Sequence, residues 1–242
     1  GTVHFAAQHQ QNPIPTIGNL VKAEWFRTFN PASLPSGGRI VQSWDTATKD
    51  GLYNDFSVCI TSHVFKRETR TIDIFRRKLQ FPDLLRHVIR LAREYNATEL
   101  LIEDAASGAQ LIQMLRDEQP QGVPLPLART PELDKETRFA AVSSMIEAGS
   151  LFIPQDADWT ADFKRELLSF PSGRFDDQVD ALSQLLSWVS LQQRVVEVED
   201  PGPIAAVGRG RRHTELGRPR RLLWPAPDAR HHRRQSRGVY PV

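Results

Sequence analysis

An α/β fold, built on a mixed β-sheet with helices on both faces, is what three features of this 242-residue sequence predict. Three strand-like runs follow one another with short connections, which specifies an antiparallel meander. Short apolar runs then alternate with segments of helical period, which specifies further strands in the same sheet with helices covering it. After Ser190 both periods stop and arginine, proline and glycine take over, so the packed domain ends there.

Taken in order, residues 1–38 are rich in Gln, Asn, Pro and Gly (Gln8, Gln10, Gln11, Pro13, Pro15, Gly18, then Pro31, Pro35, Gly37 and Gly38) and read as a linker. One short helix is expected within it around Lys22 to Phe29, held down by Trp25, Phe26 and Phe29. Ile40-Val41-Gln42-Ser43-Trp44-Asp45 is a strand ending in an acid, followed by a polar turn from Thr46 to Gly51. Phe56 to Val64 and Thr69 to Phe75 are the next two strands; Asp55 before them is a turn residue with no assigned role. From Pro82 the period becomes helical, with Leu84, Leu85, Val88, Ile89, Ala92 and Tyr95 on one stripe and Pro82 in the first turn.

Leu100-Leu101-Ile102-Glu103-Asp104 is a short buried strand that again ends in acids, and Ala105 to Gly108 turns the chain into a helix carrying Leu111, Ile112 and Leu115. A strand near Pro124 to Ala128 follows. Lys135 to Ala148 is a helix that buries Phe139, Val142 and Ile146 and closes at Gly149. Leu151-Phe152-Ile153-Pro154 is the last strand, and Asp158 is placed to cap a helix burying Trp159, Phe163, Leu167 and Leu168. The final helix starts in Phe175-Asp176-Asp177-Gln178-Val179-Asp180-Ala181-Leu182 and buries Val179, Leu182, Leu185, Leu186 and Val189. The folded domain is therefore 39–193. Residues 194–242, with Arg209, Arg211, Arg212, Arg218 and further arginines, form a basic tail too poor in apolar residues to order.

Composition bounds the function classes. With 40% hydrophobic and 25% charged residues the chain can bury one sizeable core. A net charge of +2 excludes a nucleic-acid binder that works by bulk charge, so any such contact must be local. Cys59 is the single cysteine, which excludes an intrachain disulfide and a cysteine-based zinc cluster and fits a reducing cytosol. No apolar run reaches the length of a membrane span and no signal peptide is visible, so a soluble intracellular protein is expected.

Three acidic positions need a reason: Asp45 and Glu103-Asp104 at strand ends, and Asp177 with Asp180 on one face of a helix start. An unpaired buried carboxylate is costly, and clustered carboxylates repel one another and raise the pKa of at least one member. A cation is the expected compensation. For the helix start alone, the alternative is an acidic first turn favoured by the helix dipole. A shared divalent site accounts for all three positions together: hard carboxylate oxygens suit Mg2+ or Mn2+, and two such ions about 4 Å apart support phosphoryl chemistry without a nucleophilic side chain.

The order of these motifs resembles that of the ribonuclease H-like nucleases. Ser43-Trp44-Asp45-Thr46-Ala47, Ile102-Glu103-Asp104-Ala105-Ala106-Ser107-Gly108 and Phe175 through Leu182 together resemble the C-terminal nuclease domain of the tailed-phage terminase large subunit. The likeness covers Gly1 to about Leu191, and the run Phe5 to Trp25 is similar to the segment where such proteins leave their ATPase domain. The resemblance implies a two-metal endonuclease that cuts concatemeric viral DNA. Asp45 would bridge the metals, Glu103 would ligate one, and Asp180 with Asp177 would complete the site. Asp104 and Asp176 are adjacent alternatives; strand alternation lets only one of Glu103 and Asp104 point inward, and the resemblance favours Glu103. Lys135 and Arg138, on one helical face, are candidate DNA phosphate contacts or a solvated basic face. The implied partners are double-stranded DNA, a terminase small subunit, a portal protein and an ATPase domain, in the cytoplasm of an infected or lysogenic bacterium. The 242 residues hold no G-x-x-x-x-G-K-[ST] phosphate loop, so no ATPase activity is expected from them, and an excised domain or the product of a split or decayed gene is expected instead. A resolvase-like nuclease of the same fold, or a catalytically silent module that binds DNA or metal, are the competing expectations.

Overall fold

The computed structural model describes residues 20–46 and 56–199. The Gln- and Pro-rich run before residue 20, the turn after Thr46 with Asp55, and the Arg-rich segment after residue 199 lie outside the described residues. Among the described residues the sheet has seven strands: β1 (Arg27–Phe29), β2 (Arg39–Asp45), β3 (Ser57–Phe65), β4 (Glu68–Arg77), β5 (Glu99–Glu103), β6 (Pro126–Arg129) and β7 (Leu151–Pro154). Their order across the sheet is β1-β7-β4-β3-β2-β5-β6. The β2-β3-β4 meander is antiparallel, whereas β5 and β6 add in parallel beyond β2, and β7 and β1 add in parallel beyond β4.

Five helices among the described residues cover it: α1 (Phe81–Glu94), α2 (Ala106–Glu118), α3 (Lys135–Glu147), α4 (Thr160–Ser169) and α5 (Asp177–Glu199). The pleat sorts β2 into two faces. Trp44 joins Cys59, Leu100 and Ile102 under Leu84, Val88, Leu91, Leu111, Ile112 and Leu115 of α1 and α2. Val41 joins Val58, Ile60 and Leu101 under α3, α4 and α5, which contribute Phe139, Phe163, Leu182, Leu185 and Leu186 among others. Val179, Leu182, Leu185, Leu186 and Val189 of α5 are all essentially inaccessible. Each burial is worth about 1.5–3 kcal/mol relative to exposure, so α5 is fixed in rotation and the acids on its first turn are fixed with it.

Lys22 to Phe29 departs from the helix that its sequence suggests. It forms a single 3-10 turn, Ala23–Trp25, and then β1, which pairs in parallel with β7 from Arg27 opposite Phe152 to Phe29 opposite Pro154. The pairing covers an edge that β7 would otherwise expose, while Val21 is fully buried and Trp25 and Phe26 pack on the core. Residues 20–38 are thus built into the same sheet and core. Helix α4 opens after Trp159 with no side-chain cap, so Asp158 does not have the capping role that its position suggests. The backbone of α5 continues to Glu199, whereas the sequence places the start of the tail at 194.

Candidate active site

The sheet register sets the first two acids side by side. Ser43 pairs with Leu101 and Trp44 with Ile102 in the parallel β2/β5 ladder, so the next row holds Asp45 and Glu103. Asp45 shares its face with Val41 and Ser43, the side covered by α5. Glu103 shares the face of Leu101, which belongs to the same core layer. Asp104 is exposed, and its backbone N–H donates to the Arg129 carbonyl at 2.9 Å. The chain then turns sharply into α2. A Cβ on Gly108 would lie 2.1 Å from the Glu103 carbonyl oxygen, so glycine is what allows this close approach.

Polar bonds lock α5 onto β2. The fully buried Ser43 hydroxyl donates to the Ala181 carbonyl at 2.8 Å and accepts from Gln184 Nε2 at 2.9 Å; the same amide reaches the Trp44 carbonyl at 3.3 Å. These bonds precede Asp45 on β2 and follow Asp180 on α5, and they hold the two carboxylates to the same end of the sheet. Asp180 is 4% exposed, beside the apolar stripe.

The start of α5 is organised by Glu166, a residue of α4 only 6% exposed. Its carboxylate accepts from the Gln178 backbone N–H at 2.7 Å and from Gln178 Nε2 at 2.6 Å, capping the helix from outside its own chain segment. Arg76, at the end of β4, lies 3.4 Å from Glu166 and donates to Asp177 Oδ2 at 3.1 Å. Its guanidinium is 4.2 Å from the ring centre of Phe56 and 4.8 Å from that of Phe175, so two aromatic faces hold it in place. Arg76 pairs with Val58, and Val58 with Asp45, so one row across the sheet runs from Arg76 to Asp45 and on towards Glu103.

Two further cations come from the first turn of α3. Asp134 caps that turn by accepting from the Thr137 N–H at 2.9 Å, which lowers its pKa. Lys135 Nζ then lies 2.8 Å from Asp176 Oδ2 and 2.7 Å from Asp180 Oδ2. Arg138 donates to Asp180 Oδ1 at 2.7 Å and lies 3.8 Å from Glu103 Oε2. Both oxygens of Asp180 are therefore taken by cations. Burial opposes the charge of Lys135, but the bonds to Asp176 and Asp180 outweigh it and raise its pKa.

Besides Glu166, whose pKa burial raises, four acids singled out in the sequence are shifted upward. Burial pushes Asp45 well above the ordinary range, and the charges of Asp180, Glu103 and Asp177 push further, against a weaker pull from Lys135. Burial likewise raises Glu103 against the attraction of Arg138, Asp177 against Arg76, and Asp180 against Lys135 and Arg138. Asp45 thus stands close enough to Asp180, Glu103 and Asp177 for all three charges to act on it. Desolvation comes first and mutual repulsion second, so the acids stand in a partly water-excluded corner that favours a compensating cation.

Of the residues singled out in the sequence, Asp45, Glu103, Asp177 and Asp180 come together here, with Lys135 and Arg138 among them. Asp176 sits at the rim, bonded to Lys135, and its carbonyl accepts from the Asp180 N–H at 2.9 Å. Ser43, Arg76, Glu166 and Gln184 belong to the arrangement although sequence reasoning passes over them. A glutamate in the middle of an otherwise apolar face, as Glu166 is between Phe163 and Leu167, is the one signal that points to any of these. The donor set fits a hard divalent ion, being carboxylate oxygens drawn from three elements. Among the described residues no three such groups stand at metal-ligand spacing, and both Asp180 oxygens face Lys135 and Arg138.

An antiparallel meander extended in parallel on both sides, with acids at the ends of β2 and β5 and on the helix that crosses them, defines the ribonuclease H-like class. Residues 42–188 match the family described as "Terminase RNaseH-like domain". The match spans more than half of the chain, and the chain belongs to that family. No curated protein matches it in sequence. Among solved structures it is similar to the large terminase nuclease of thermophilic phage G20c with bound magnesium, at 14% identity and a TM-score of 0.52, covering 72% of this chain and 98% of that one. The same nuclease with bound zinc gives 14% identity and a TM-score of 0.51, covering 73% and 98%. The large terminase of a second thermophilic bacteriophage gives 9% identity and a TM-score of 0.54 over 71% of this chain, but over 44% of that one, so the chain spans less than half the length of that terminase.

Proposed function

We propose that this chain is a divalent-metal-dependent endonuclease of double-stranded DNA, the cutting part of a phage terminase. Asp45, Glu103 and Asp180 are its metal ligands, and Asp177 supports them. The observation that carries the reading is the convergence of three acids from β2, β5 and α5 in one partly water-excluded corner, where burial and mutual repulsion raise their pKa values. Family membership and the divalent ions named for the phage G20c nuclease add to it.

Bound there, two Mg2+ or Mn2+ ions would supply an acidified water and neutralise charge at the scissile phosphate. The chain's own residues do the rest. Asp45, whose pKa the charges of Asp180, Glu103 and Asp177 all raise, would hold the ions together with Glu103 and Asp180. Asp177 is oriented by Arg76, and Arg76 in turn by Glu166 and two phenylalanine faces. Lys135 and Arg138 neutralise the acids and, at the open side of α3, contact DNA phosphates. The substrate in this reading is concatemeric viral DNA, cut in the cytoplasm of a bacterial host beside an ATPase domain, a small subunit and a portal.

Supercoiled plasmid incubated with the chain and Mn2+ is expected to be nicked and linearised, and Asp45→Ala is expected to abolish this. Plasmid left intact by the wild type, or cleavage that survives Asp45→Ala, would overturn the proposal. Four-way junctions cut in preference to linear duplex would point to a resolvase instead.

A further inference from the structure

Lys135 and Arg138 stand where the metal ligands of the proposed site are needed. Asp180 offers its two oxygens to them at 2.7 Å each, and Arg138 bridges on to Glu103 at 3.8 Å. A cation that binds the same oxygens meets two full positive charges at close range, in a corner where water screens poorly. The three cannot share Asp180 without strong repulsion. The present arrangement is also not a finished one: the buried Nε–H of Arg138 has no acceptor among the described residues, and its contact to Glu103 is longer than a hydrogen bond. Lys135 is half-exposed on the first turn of α3, next to solvent, and has room to swing away.

We propose that Lys135 and Arg138 are exchangeable counter-ions: they neutralise Asp180 and Glu103 until they yield those carboxylates to a divalent ion, and then turn to the phosphates of the DNA. The inference rests on the metal-nuclease reading and adds its regulation. Metal and DNA binding then reinforce one another, because each takes up a partner that the other releases. Neither ligand alone finds the site ready. The chain is held back from cleavage until both are present, and by linkage the factor by which DNA tightens metal binding equals that by which metal tightens DNA binding.

The consequence that a merely structural ion pair lacks is a pair of opposite effects. Lys135→Ala in the full chain is expected to bind Mn2+ more tightly, by about fivefold or more. The same variant is expected to bind a short duplex more weakly, with a salt slope smaller by about one unit. Mn2+ binding is read from the free-ion paramagnetic signal, and duplex binding from fluorescence anisotropy in Ca2+. Lys135→Arg keeps the charge and is expected to match the wild type in Mn2+ affinity, and melting temperatures confirm that both variants fold. Adding duplex to the wild type should tighten Mn2+ binding several-fold. Unchanged or weaker Mn2+ binding by Lys135→Ala overturns the exchange, even if the wild type cuts DNA. Tighter Mn2+ binding in a chain that never cuts leaves the exchange standing and removes the nuclease. A chain that binds no Mn2+ in either form overturns both.

Discussion

Replacing Glu166 with alanine should loosen the first turn of α5 and weaken the metal site without touching a proposed ligand. In the structure the Glu166 carboxylate accepts two bonds from Gln178, at 2.7 and 2.6 Å, and faces Arg76 at 3.4 Å. Hydrogen bonds to a buried charge are worth about 1.5–3 kcal/mol each, and their loss leaves the Gln178 N–H at a helix start without its acceptor. Against this, burial has already raised the pKa of Glu166, so alanine recovers part of a desolvation cost. Arg76 is about one-fifth exposed and keeps Asp177, so its share is discounted. The net loss is about 2–4 kcal/mol, which at a typical urea slope of about 2 kcal/mol/M moves the unfolding midpoint down by about 1–2 M. Because Asp177 and Asp180 ride on that turn, Mn2+ affinity should fall roughly tenfold as well, the usual scale for residues that orient ligands. Equilibrium urea unfolding and Mn2+ titration of the same variant check both. A midpoint within about 0.3 M of wild type, set against that typical slope, would refute the claim that Glu166 organises the helix start.

The pH dependence follows from the carboxylates. Asp45, Glu103, Asp177 and Asp180 have folded pKa values above their unfolded ones, so the folded state binds protons more tightly. Their contribution is fully present below the unfolded values and is lost as pH rises through the folded ones. Without divalent ions the melting temperature should therefore decline from about pH 4 upward, and Mn2+ should restore it; a flat profile in EDTA would place the acids apart. Asp134, with its lowered pKa, works the other way and loses its contribution as pH falls. Ser43→Ala removes the bonds to Ala181 and Gln184 and should cost about 1–3 kcal/mol in urea unfolding; a cost near zero would mean that β2 and α5 are held by apolar packing alone. Gly108→Ala drives a Cβ against the Glu103 carbonyl and should lower both stability and Mn2+ affinity, whereas wild-type behaviour in both would show that the turn yields freely.

Much of the sheet and of the helical cover was legible because the periods are clean. Of the predicted stripe, Leu84, Val88 and Ala92 are buried and Leu85, Ile89 and Tyr95 pack partly buried beside them, and the stripe from Val179 to Val189 buries the face that it predicts. The short run Arg27–Phe29 was not legible, since three residues carry no period and their strand exists only because β7 needs a neighbour. The acids were visible as acids at element ends. Their partners were not, for a different reason: Arg76 lies far in sequence from both Glu166 and Asp177, and a long-range ion pair leaves no local pattern. Ser43 and Gln184 look like ordinary polar residues within a strand and a helix; only the docking of α5 onto β2 gives them a shared role. Lys135 and Arg138 could be placed on one helical face, but that the face meets Asp180 depends on how α3 packs on α5.

The most direct measurement is a crystal structure of the chain grown with Mn2+, with the ion located by its anomalous scattering. The account predicts Mn2+ coordinated by Asp45, Glu103 and Asp180, with Lys135 and Arg138 turned away from Asp180. Mn2+ bound elsewhere, or Lys135 and Arg138 still seated on Asp180 at saturating Mn2+, would contradict it.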